Sequence, residues 1–429
     1  MRNQLPLFDL TGSVDTGAER EPSFGEELAA FVYGGKRTLT STTTSEEANG
    51  DRWSVPAFIN EFWTSKQRAA HSLHEISYRA CFKPQLPRFL IERLTRPGDR
   101  VYDPFMGRGT TLIEAALLGR TPAGCDVNPL SQILVGPRLQ PPTVAEVANR
   151  LRSLTLAAAV DAPEALLAFY HPDTLAEICA LREYLNEGAR RNRLDSVDSW
   201  IRMVAVNRLT GHSPGFFSVY TLPPNQAVSV DVQRKINMDR AQTPPRRDVK
   251  AVILAKTRSL LSDCDEPGRR ALASTAAGAL LLTSSAEHTP ALHDGSVDLV
   301  VTSPPFLDVV NYAGDNWLRC WFCGIDPKSV GITIARRLDD WSRAMTAVFL
   351  ELHRVVRAGG HVAFEVGEVR GGKVKLEETV IPAAARAGFA PELILINSQD
   401  FTKTANCWGV KNNEKGTNTN RIVVLRRPA

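Results

Sequence analysis

The segment from Asp103 to Thr111, Asp-Pro-Phe-Met-Gly-Arg-Gly-Thr-Thr, contains residue types that suit ligand binding at a helix N-terminus. Gly107 and Gly109 lie where a short apolar strand must turn sharply into a helix, and a side chain there would keep a ligand away from the backbone. The helix that follows directs free N–H groups and its positive dipole end at the turn. No Gly-Lys-Ser/Thr follows, and Leu112 occupies the third position of the G-x-G-x-x-G pattern. A purely structural turn therefore remains an alternative.

Asp126 favours nucleoside binding at this turn. It lies at the end of the next predicted strand, 17 residues after Gly109. In an open α/β sheet this is where an acidic side chain meets ribose hydroxyls, and one carboxylate can accept two hydroxyl hydrogen bonds. The alternative is a helix N-cap or an exposed loop aspartate.

The segment Ser303-Pro304-Pro305-Phe306 directly follows the apolar run Val-Asp-Leu-Val-Val-Thr. Two consecutive prolines remove two N–H donors and restrict φ twice, which leaves nearby carbonyls free to accept hydrogen bonds. The Ser303 hydroxyl and the Pro304 carbonyl can then hold an exocyclic amino group by its hydrogens, while the Phe306 ring stacks on a flat base. The alternative is a proline-stiffened loop at a strand end.

In combination, these segments resemble the S-adenosylmethionine-dependent amino-group DNA methyltransferases. The nearest group is the cytosine-N4 branch, whose motif is Ser-Pro-Pro-Tyr/Phe. Residues 74–111 resemble the stretch that joins the family's methionine-contacting helix to its glycine turn, and residues 408–424 resemble a tail segment of these enzymes. The order of the motifs differs from the commonest cytosine-N4 order. Ser284 and Ser285 stand where the family commonly has an acidic residue.

The resemblance implies an α/β fold with a Rossmann-like methyltransferase sheet and a mostly helical insertion domain. It implies S-adenosyl-L-methionine as the cofactor and double-stranded DNA as the substrate, in a restriction-modification or orphan modification role, with a cognate restriction endonuclease as an optional partner. The residues that hold the amino group and its base would be Ser303, Pro304, Pro305 and Phe306. The cofactor-binding residues would be Lys83, Asp103, Pro104, Phe105, Gly107, Gly109, Thr110 and Asp126.

The implied reaction is methyl transfer to the N4 amino group of a cytosine flipped out of the duplex. Serine rather than aspartate at position 303 favours cytosine only by association with the family, so adenine-N6 methylation is the alternative. An RNA amino-group methyltransferase and a cofactor-binding module without turnover are further alternatives. Carbon-5 methylation needs a cysteine after a proline, and the chain has no Pro-Cys pair.

The elements that must position these segments form an alternating pattern in two separated parts of the chain. Residues 52–143 and 272–429 alternate helix and strand, which predicts one parallel α/β sheet with helices on both faces. Residues 144–271 have helical apolar spacing and predict a helical insertion, the candidate target-recognition domain. Residues 1–51, with the polar run Thr-Leu-Thr-Ser-Thr-Thr-Thr, predict a loosely ordered leader.

A basic segment lies inside the insertion. From Arg234 to Arg258 there are eight basic and two acidic residues, a local excess of +6 that exceeds the +4 of the whole chain. Such a segment suits phosphate contacts, and its alternative is a solvated helix face. The loop 209–229 combines glycine, proline and aromatic residues and is a candidate for insertion at the flipped base, and its alternative is to pack the insertion onto the sheet. The predicted DNA-binding residues are Arg234, Lys235, Arg240, Arg246, Arg247 and Lys250.

The composition of the chain is that of an ordinary globular protein. Its 429 residues are 43% hydrophobic and 23% charged, which excludes a wholly disordered chain. No apolar run reaches the roughly 18 residues that a membrane span needs, and we expect no signal peptide. Seven scattered cysteines predict the reducing cytoplasm. The pair Cys320 and Cys323 lacks two further ligands, so we expect no metal site.

Overall fold

The computed structural model describes eleven stretches of the chain. These are residues 22–46, 50–63, 70–78, 81–156, 162–221, 227–305, 312–327, 330–331, 337–369, 374–398 and 419–429. Phe306 and the tail segment before Thr419 lie outside the described residues. Of the predicted Ser-Pro-Pro-Phe segment, the structure describes Ser303, Pro304 and Pro305.

A nine-stranded sheet forms the centre of the molecule. Its strands are β3 (Leu39–Glu46), β4 (Arg52–Asn60), β5 (Arg100–Asp103), β6 (Thr121–Asp126), β7 (Leu280–Thr283), β8 (Val297–Thr302), β9 (Val356–Val366), β12 (Ala390–Ser398) and β13 (Thr419–Arg426). The order across the sheet is β3-β4-β12-β13-β9-β8-β5-β6-β7. Strands β7, β6, β5, β8 and β9 are parallel, and β13 is antiparallel to both of its neighbours.

The order of the strands reverses between β5 and β8. From β5 the chain builds the sheet outward through β6 and β7, and it then returns to place β8 on the other side of β5. Ligands of open α/β sheets bind in the crevice at such a reversal, outside the carboxyl ends of the strands. Asp103 ends β5, and Ser303 directly follows β8. The topology therefore brings the two predicted motifs to one crevice.

Helices cover both faces of the sheet. On one face, α12 (Leu338–Val355) packs on β9, with Phe349 and Phe364 in contact at 4.8 Å between ring centres, and α13 (Glu377–Arg386) packs on β3, β12 and β13. On the other face, α2 (Gln85–Leu94) and α3 (Thr110–Leu117) cover the sheet. The prediction of an α/β, Rossmann-like methyltransferase sheet with a helical insertion is confirmed by this strand order and these layers. The other helices of this part are α1 (Phe24–Ala30), α4 (Leu130–Leu139) and α11 (Tyr312–Cys323).

Residues 144–271 are helical but share a core with the sheet's helices. Their helices are α5 (Val144–Ser153), α6 (Pro172–Arg190), α7 (Ser196–Val206), α8 (Val230–Asp239), α9 (Val249–Leu260) and α10, which continues past residue 271 (Glu266–Ala276). One apolar cluster joins Trp200 and Ile253 of these helices to Leu112 of α3 and Leu134 of α4. The helices thus pack directly on the layer that carries the glycine turn.

The described part of the predicted leader is structured, which corrects the expectation for residues 22–46. Helix α1 begins with a capping box between Ser23 and Glu26. Two short strands, β1 (Val32–Tyr33) and β2 (Lys36–Arg37), form a hairpin, and β3 then pairs along its whole length with β4. Threonine is β-branched and suits an extended, half-exposed strand, so a polar composition did not imply the absence of structure.

Two features complete the fold. A further hairpin joins β10 (Glu368–Val369) and β11 (Val374–Lys375). Within the described ranges, no helix has both the length and the apolar character needed to cross a membrane.

Candidate active site

The turn after β5 requires glycine at two positions. Gly107 has φ +47° and Gly109 has φ +74°, a left-handed conformation that residues with a Cβ rarely adopt. A Cβ on Gly109 would lie 2.4 Å from Cγ2 of Val135 in α4. The glycine therefore lets α3 begin directly against α4.

Asp126 organises the glycine turn from the neighbouring strand. Its Oδ2 accepts a hydrogen bond from the Gly107 N–H at 2.9 Å, and its Oδ1 accepts one from the Asn128 N–H at 2.8 Å. Burial raises the pKa of the carboxyl, while these two bonds oppose the increase. Each oxygen keeps a second lone pair, so the carboxylate can also accept hydroxyl groups from a ligand.

Asp103 joins the two predicted motifs. Its Oδ1 accepts hydrogen bonds from the Thr302 hydroxyl at 2.6 Å and from the Phe105 N–H at 3.0 Å. A second bond, from the Thr111 hydroxyl to the Val301 carbonyl at 3.0 Å, ties α3 to β8. Burial raises the pKa of Asp103 to about 7, because removal from water penalises the ionised form more than these bonds stabilise it.

One pocket lies between the glycine turn and the diproline segment. Its lining residues come from the turn, the ends of β6 to β8 and the first turns of α12. They are Tyr78, Pro104, Phe105, Gly107, Asp126, Val127, Asn128, Ser285, Ala286, Glu287, Ser303, Pro305, Gly331, Trp341, Ala344, Met345 and Val348. The glycine turn with Asp126 and the diproline segment with Ser303 and Pro305 therefore line the same pocket.

The diproline segment is held in place by two buried side chains. The indole N–H of Trp341, in α12, donates to the Pro305 carbonyl at 2.9 Å. The Ser303 hydroxyl is hydrogen-bonded to the carboxylate of Glu365, near the end of β9. The Asn420 side chain donates to Glu365 Oε1 at 2.8 Å, and burial raises the pKa of the glutamate. The Ser303 oxygen, which donates its proton to Glu365, keeps lone pairs that can accept hydrogen bonds.

The predicted residues take different places around the pocket. Pro104, Phe105, Gly107, Asp126, Ser303 and Pro305 line it. Asp103, Gly109, Thr110 and Pro304 lie buried behind the lining. Lys83 is half-buried at the start of α2 and is not one of the described lining residues. Phe306 lies outside the described residues.

Sequence reasoning did not find Trp341, Glu365, Asn420 or Glu287. The first three are 36 to 117 residues beyond Pro305 and Ser303 in the chain and meet the motif only in the folded sheet. Glu287 lines the pocket two residues after Ser285, so an acidic side chain is present close to where the family commonly has one. Of these residues, only Glu365 had a feature in the sequence that could have indicated a role, because it lies near the carboxyl end of an apolar strand, where ligands of such sheets bind.

The predicted DNA-binding residues mostly have partners within the protein. Arg246 pairs with Asp173 and Glu177 at 3.3 Å each, and Arg240 lies over the Tyr220 ring. The others contact neighbours in the same way or lie at the surface: Arg234 pairs with Asp231, Lys250 donates to the Leu154 carbonyl, Arg247 is half-buried and Lys235 is exposed. Exposed pairs of this kind are weak, so they can exchange for phosphate contacts.

The part of the chain that the structure describes holds no cluster of metal ligands. No three His, Cys, Asp or Glu side chains are grouped there in a way that could hold an ion. Cys320 and Cys323 are free, buried thiols within α11.

The strand order defines a Rossmann-like α/β fold with a pocket at the strand reversal. Residues 33–131 match the family model for N6 and N4 enzymes that is described as DNA methylase. The type II methyltransferase M.BsoBI of Geobacillus stearothermophilus is 22% identical over 302 residues, 63% of this chain and 55% of that protein. M1.MboII of Moraxella bovis is 40% identical over 88 residues, 19% of this chain and 34% of that protein. The aligned parts thus span about half the length, or less, of these relatives.

Solved structures show similarity at a lower level. A geranyl diphosphate C-methyltransferase from Streptomyces coelicolor matches 80% of this chain and 76% of its own, with 11% identity and a TM-score of 0.35. TrmN from Thermus thermophilus matches 81% of this chain and 50% of its own, with 14% identity and a TM-score of 0.29. Both scores are below 0.5, so the fold assignment depends on the strand order. The family and relative matches support an amino-group DNA methyltransferase without separating N4 from N6 enzymes.

Proposed function

We propose that this chain transfers a methyl group from S-adenosyl-L-methionine to an exocyclic amino group of DNA, with the N4 of cytosine as the favoured target. The observation that carries the proposal is the single pocket shared by the glycine turn and the diproline segment, whose two ends are joined by the Asp103–Thr302 hydrogen bond. A cofactor and a base held in these two halves would meet at the strand reversal.

The residues at the turn suit this cofactor. Asp126 offers lone pairs for ribose hydroxyls, Glu287 offers a carboxylate for a further polar contact, and Gly107 has no side chain to block the approach. Tyr78 and Phe105 supply flat apolar walls. When bound, the cofactor supplies an electrophilic sulfonium methyl group.

The other half of the pocket suits an amino group. Because the single proton of the Ser303 hydroxyl is directed to Glu365, its oxygen lone pairs face outward to accept a hydrogen of the amine. The Pro304 carbonyl accepts the other hydrogen. Held in this way, the amine keeps its lone pair directed at the methyl donor, so catalysis follows from positioning and from polarisation of the nitrogen.

The target must leave the duplex to reach this pocket, so the proposal includes base flipping, with Phe306 as the residue that stacks on the base. Lys83 is proposed to approach the cofactor's methionine end. Adenine-N6 is the alternative target, because the same acceptors suit either amine.

We propose residues 144–271 as the target-recognition part, with phosphate contacts from Arg234, Lys235, Arg240, Arg246, Arg247 and Lys250.

The cellular setting follows from the same proposal. A site-specific DNA methyltransferase acts where the chromosome is, so we propose a cytoplasmic enzyme of a restriction-modification system or an orphan methyltransferase. A cognate restriction endonuclease would be its partner in the first case.

The test is transfer of a labelled methyl group to duplex DNA and, in parallel, to structured RNA. We expect label in DNA, and digestion to nucleosides should give N4-methylcytosine. Ser303→Ala should reduce turnover by orders of magnitude with cofactor affinity almost unchanged, while Ser296→Ala, away from the pocket, should leave both intact. N6-methyladenine would establish the alternative, and label in RNA alone would refute the DNA assignment.

A further inference from the structure

Arg208 is a buried arginine without a carboxylate partner. It follows α7, is 8% exposed, and its guanidinium lies 4.0 Å from the centre of the Phe216 ring. Its Nε donates to the Asn207 carbonyl at 2.7 Å and its Nη1 to the Gly215 carbonyl at 3.5 Å. No carboxylate lies within ion-pair distance of it in the described part of the chain. Several of its five N–H donors therefore remain for another acceptor.

The charges around Arg208 are unbalanced. Lys256 lies near it, and burial together with Arg208 lowers the pKa of that lysine. Arg319 on α11 is also close, and burial with Arg319 lowers the pKa of Arg208 to about 10. The nearby carboxylate is Glu75, which pairs with the Lys256 ammonium at 3.3 Å and is half exposed. Glu75 pairs with Lys256 and acts on Arg208 only from beyond ion-pair distance, so the positive charge of Arg208 is only partly offset.

This positive charge lies beside the wall of the pocket. The side chain of Asn207, next in sequence, accepts a hydrogen bond from the Ser77 N–H at 3.0 Å. Tyr78, which follows Ser77, lines the pocket together with Gly107. Arg208 directly precedes the loop 209–229, and its carbonyl accepts a hydrogen bond from the Phe217 N–H of that loop at 2.8 Å. An anion bound here would lie between that loop and the pocket.

We propose that Arg208 and Lys256 bind a phosphodiester group of the DNA next to the flipped nucleotide. The inference depends on the proposed function, and it adds Arg208, which lies outside the predicted basic segment, to Lys256, which lies within it. The planar guanidinium can grip two phosphate oxygens, and the lysine adds a second charge. In the free protein, the Glu75 carboxylate pairs with the Lys256 ammonium. When DNA binds, the phosphate replaces Glu75 as the partner of that lysine.

The experiment measures binding of the full chain to a duplex that it methylates, by fluorescence anisotropy over a series of salt concentrations. Arg208→Met keeps most of the stem on Phe216 and should weaken binding about tenfold, with a salt slope lower by about one. Glu75→Gln should tighten binding several-fold, because Lys256 is released. Arg357→Gln is the control, since Arg357 pairs with Asp298 near the amino ends of the strands and should change nothing.

The gain in affinity separates this role from a structural one, since a folding defect lowers affinity and cannot raise it. Cofactor affinity should stay unchanged in Arg208→Met and Glu75→Gln. If both variants bind DNA like Arg357→Gln, the phosphate contact is wrong while the proposed function stands. If the unaltered chain binds no duplex at any salt concentration, both are wrong.

Discussion

The indole of Trp341 donates its N–H to the carbonyl of Pro305 at 2.9 Å, and the same ring forms part of the pocket wall. Proline supplies no N–H of its own, so this segment cannot hold itself by local backbone bonds. A helix 36 residues further along the chain supplies the missing donor. The geometry of the amine-binding corner therefore depends on how α12 packs against the sheet.

Trp341→Phe should lower kcat while leaving cofactor affinity within about twofold. The ring wall stays, but the Pro305 carbonyl loses a hydrogen bond worth about 1 kcal/mol, and the corner gains freedom. Single-turnover methylation and cofactor titration measure the two quantities. Trp317→Phe is the matched control, because it removes an indole bond to the Val228 carbonyl away from the pocket. Equal loss of kcat in both variants would mean that Trp341 acts only through stability.

Glu365→Gln should reduce kcat by about 10- to 1000-fold, the range for loss of one preorganised polar contact. The neutral amide no longer accepts the Ser303 proton as strongly, so the serine oxygen becomes a poorer acceptor for the amine. Methylation rates and cofactor affinity are the measurements. Glu392→Gln on β12, whose carboxylate pairs with His361 at the surface, is a control with the same chemical change. Unchanged kcat in Glu365→Gln would refute the role of this contact.

Asp103 should make folding stability depend on pH. Its folded-state pKa of about 7 lies above the ordinary value of 3.8, so the unfolded chain loses this proton first as pH rises. The contribution of Asp103 to the free energy of unfolding is fully present below about pH 4 and is lost as pH rises through about 7. The loss amounts to about 4 kcal/mol at most. Asp103→Asn keeps an acceptor for Thr302 and cannot ionise. Denaturant unfolding at several pH values should show the wild-type chain losing stability relative to this variant between pH 4 and 7; parallel curves would contradict the assignment.

Gly109→Ala should destabilise the protein more than Gly119→Ala. Both glycines have φ near +75°, so each substitution costs about 1–2 kcal/mol for the backbone alone. At Gly119 the nearest atom to a Cβ is 3.8 Å away, whereas at Gly109 it is 2.4 Å away, on Val135. Overpacking adds about 1–3 kcal/mol at Gly109. Unfolding free energies of the two variants test this, and Val135→Ala in the Gly109→Ala background should recover part of the difference.

The sequence alone determined the parts of the site that lie within one short segment. The turn at Gly107 and Gly109 is visible because left-handed backbone needs glycine, and Ser303 is visible because prolines after an apolar strand restrict the chain locally. The alternation of helix and strand predicted the parallel strands β5 to β9, since parallel strands need crossover connections, but it did not predict the antiparallel pairings of β13 and of β3 with β4. The prediction of a loosely ordered segment at the polar run of β3 was wrong, because pairing with β4 supplies hydrogen bonds that composition does not reveal.

Only the tertiary structure decided which distant residues complete the site. Trp341, Glu365 and Asn420 reach the diproline corner because α12, β9 and β13 pack beside β8, and no spacing in the chain records that neighbourhood. Arg208 is likewise indistinguishable by sequence from Arg246, yet one is buried without a carboxylate and the other is paired. Pairing and burial depend on contacts between remote segments, which the order of residues specifies only through the fold.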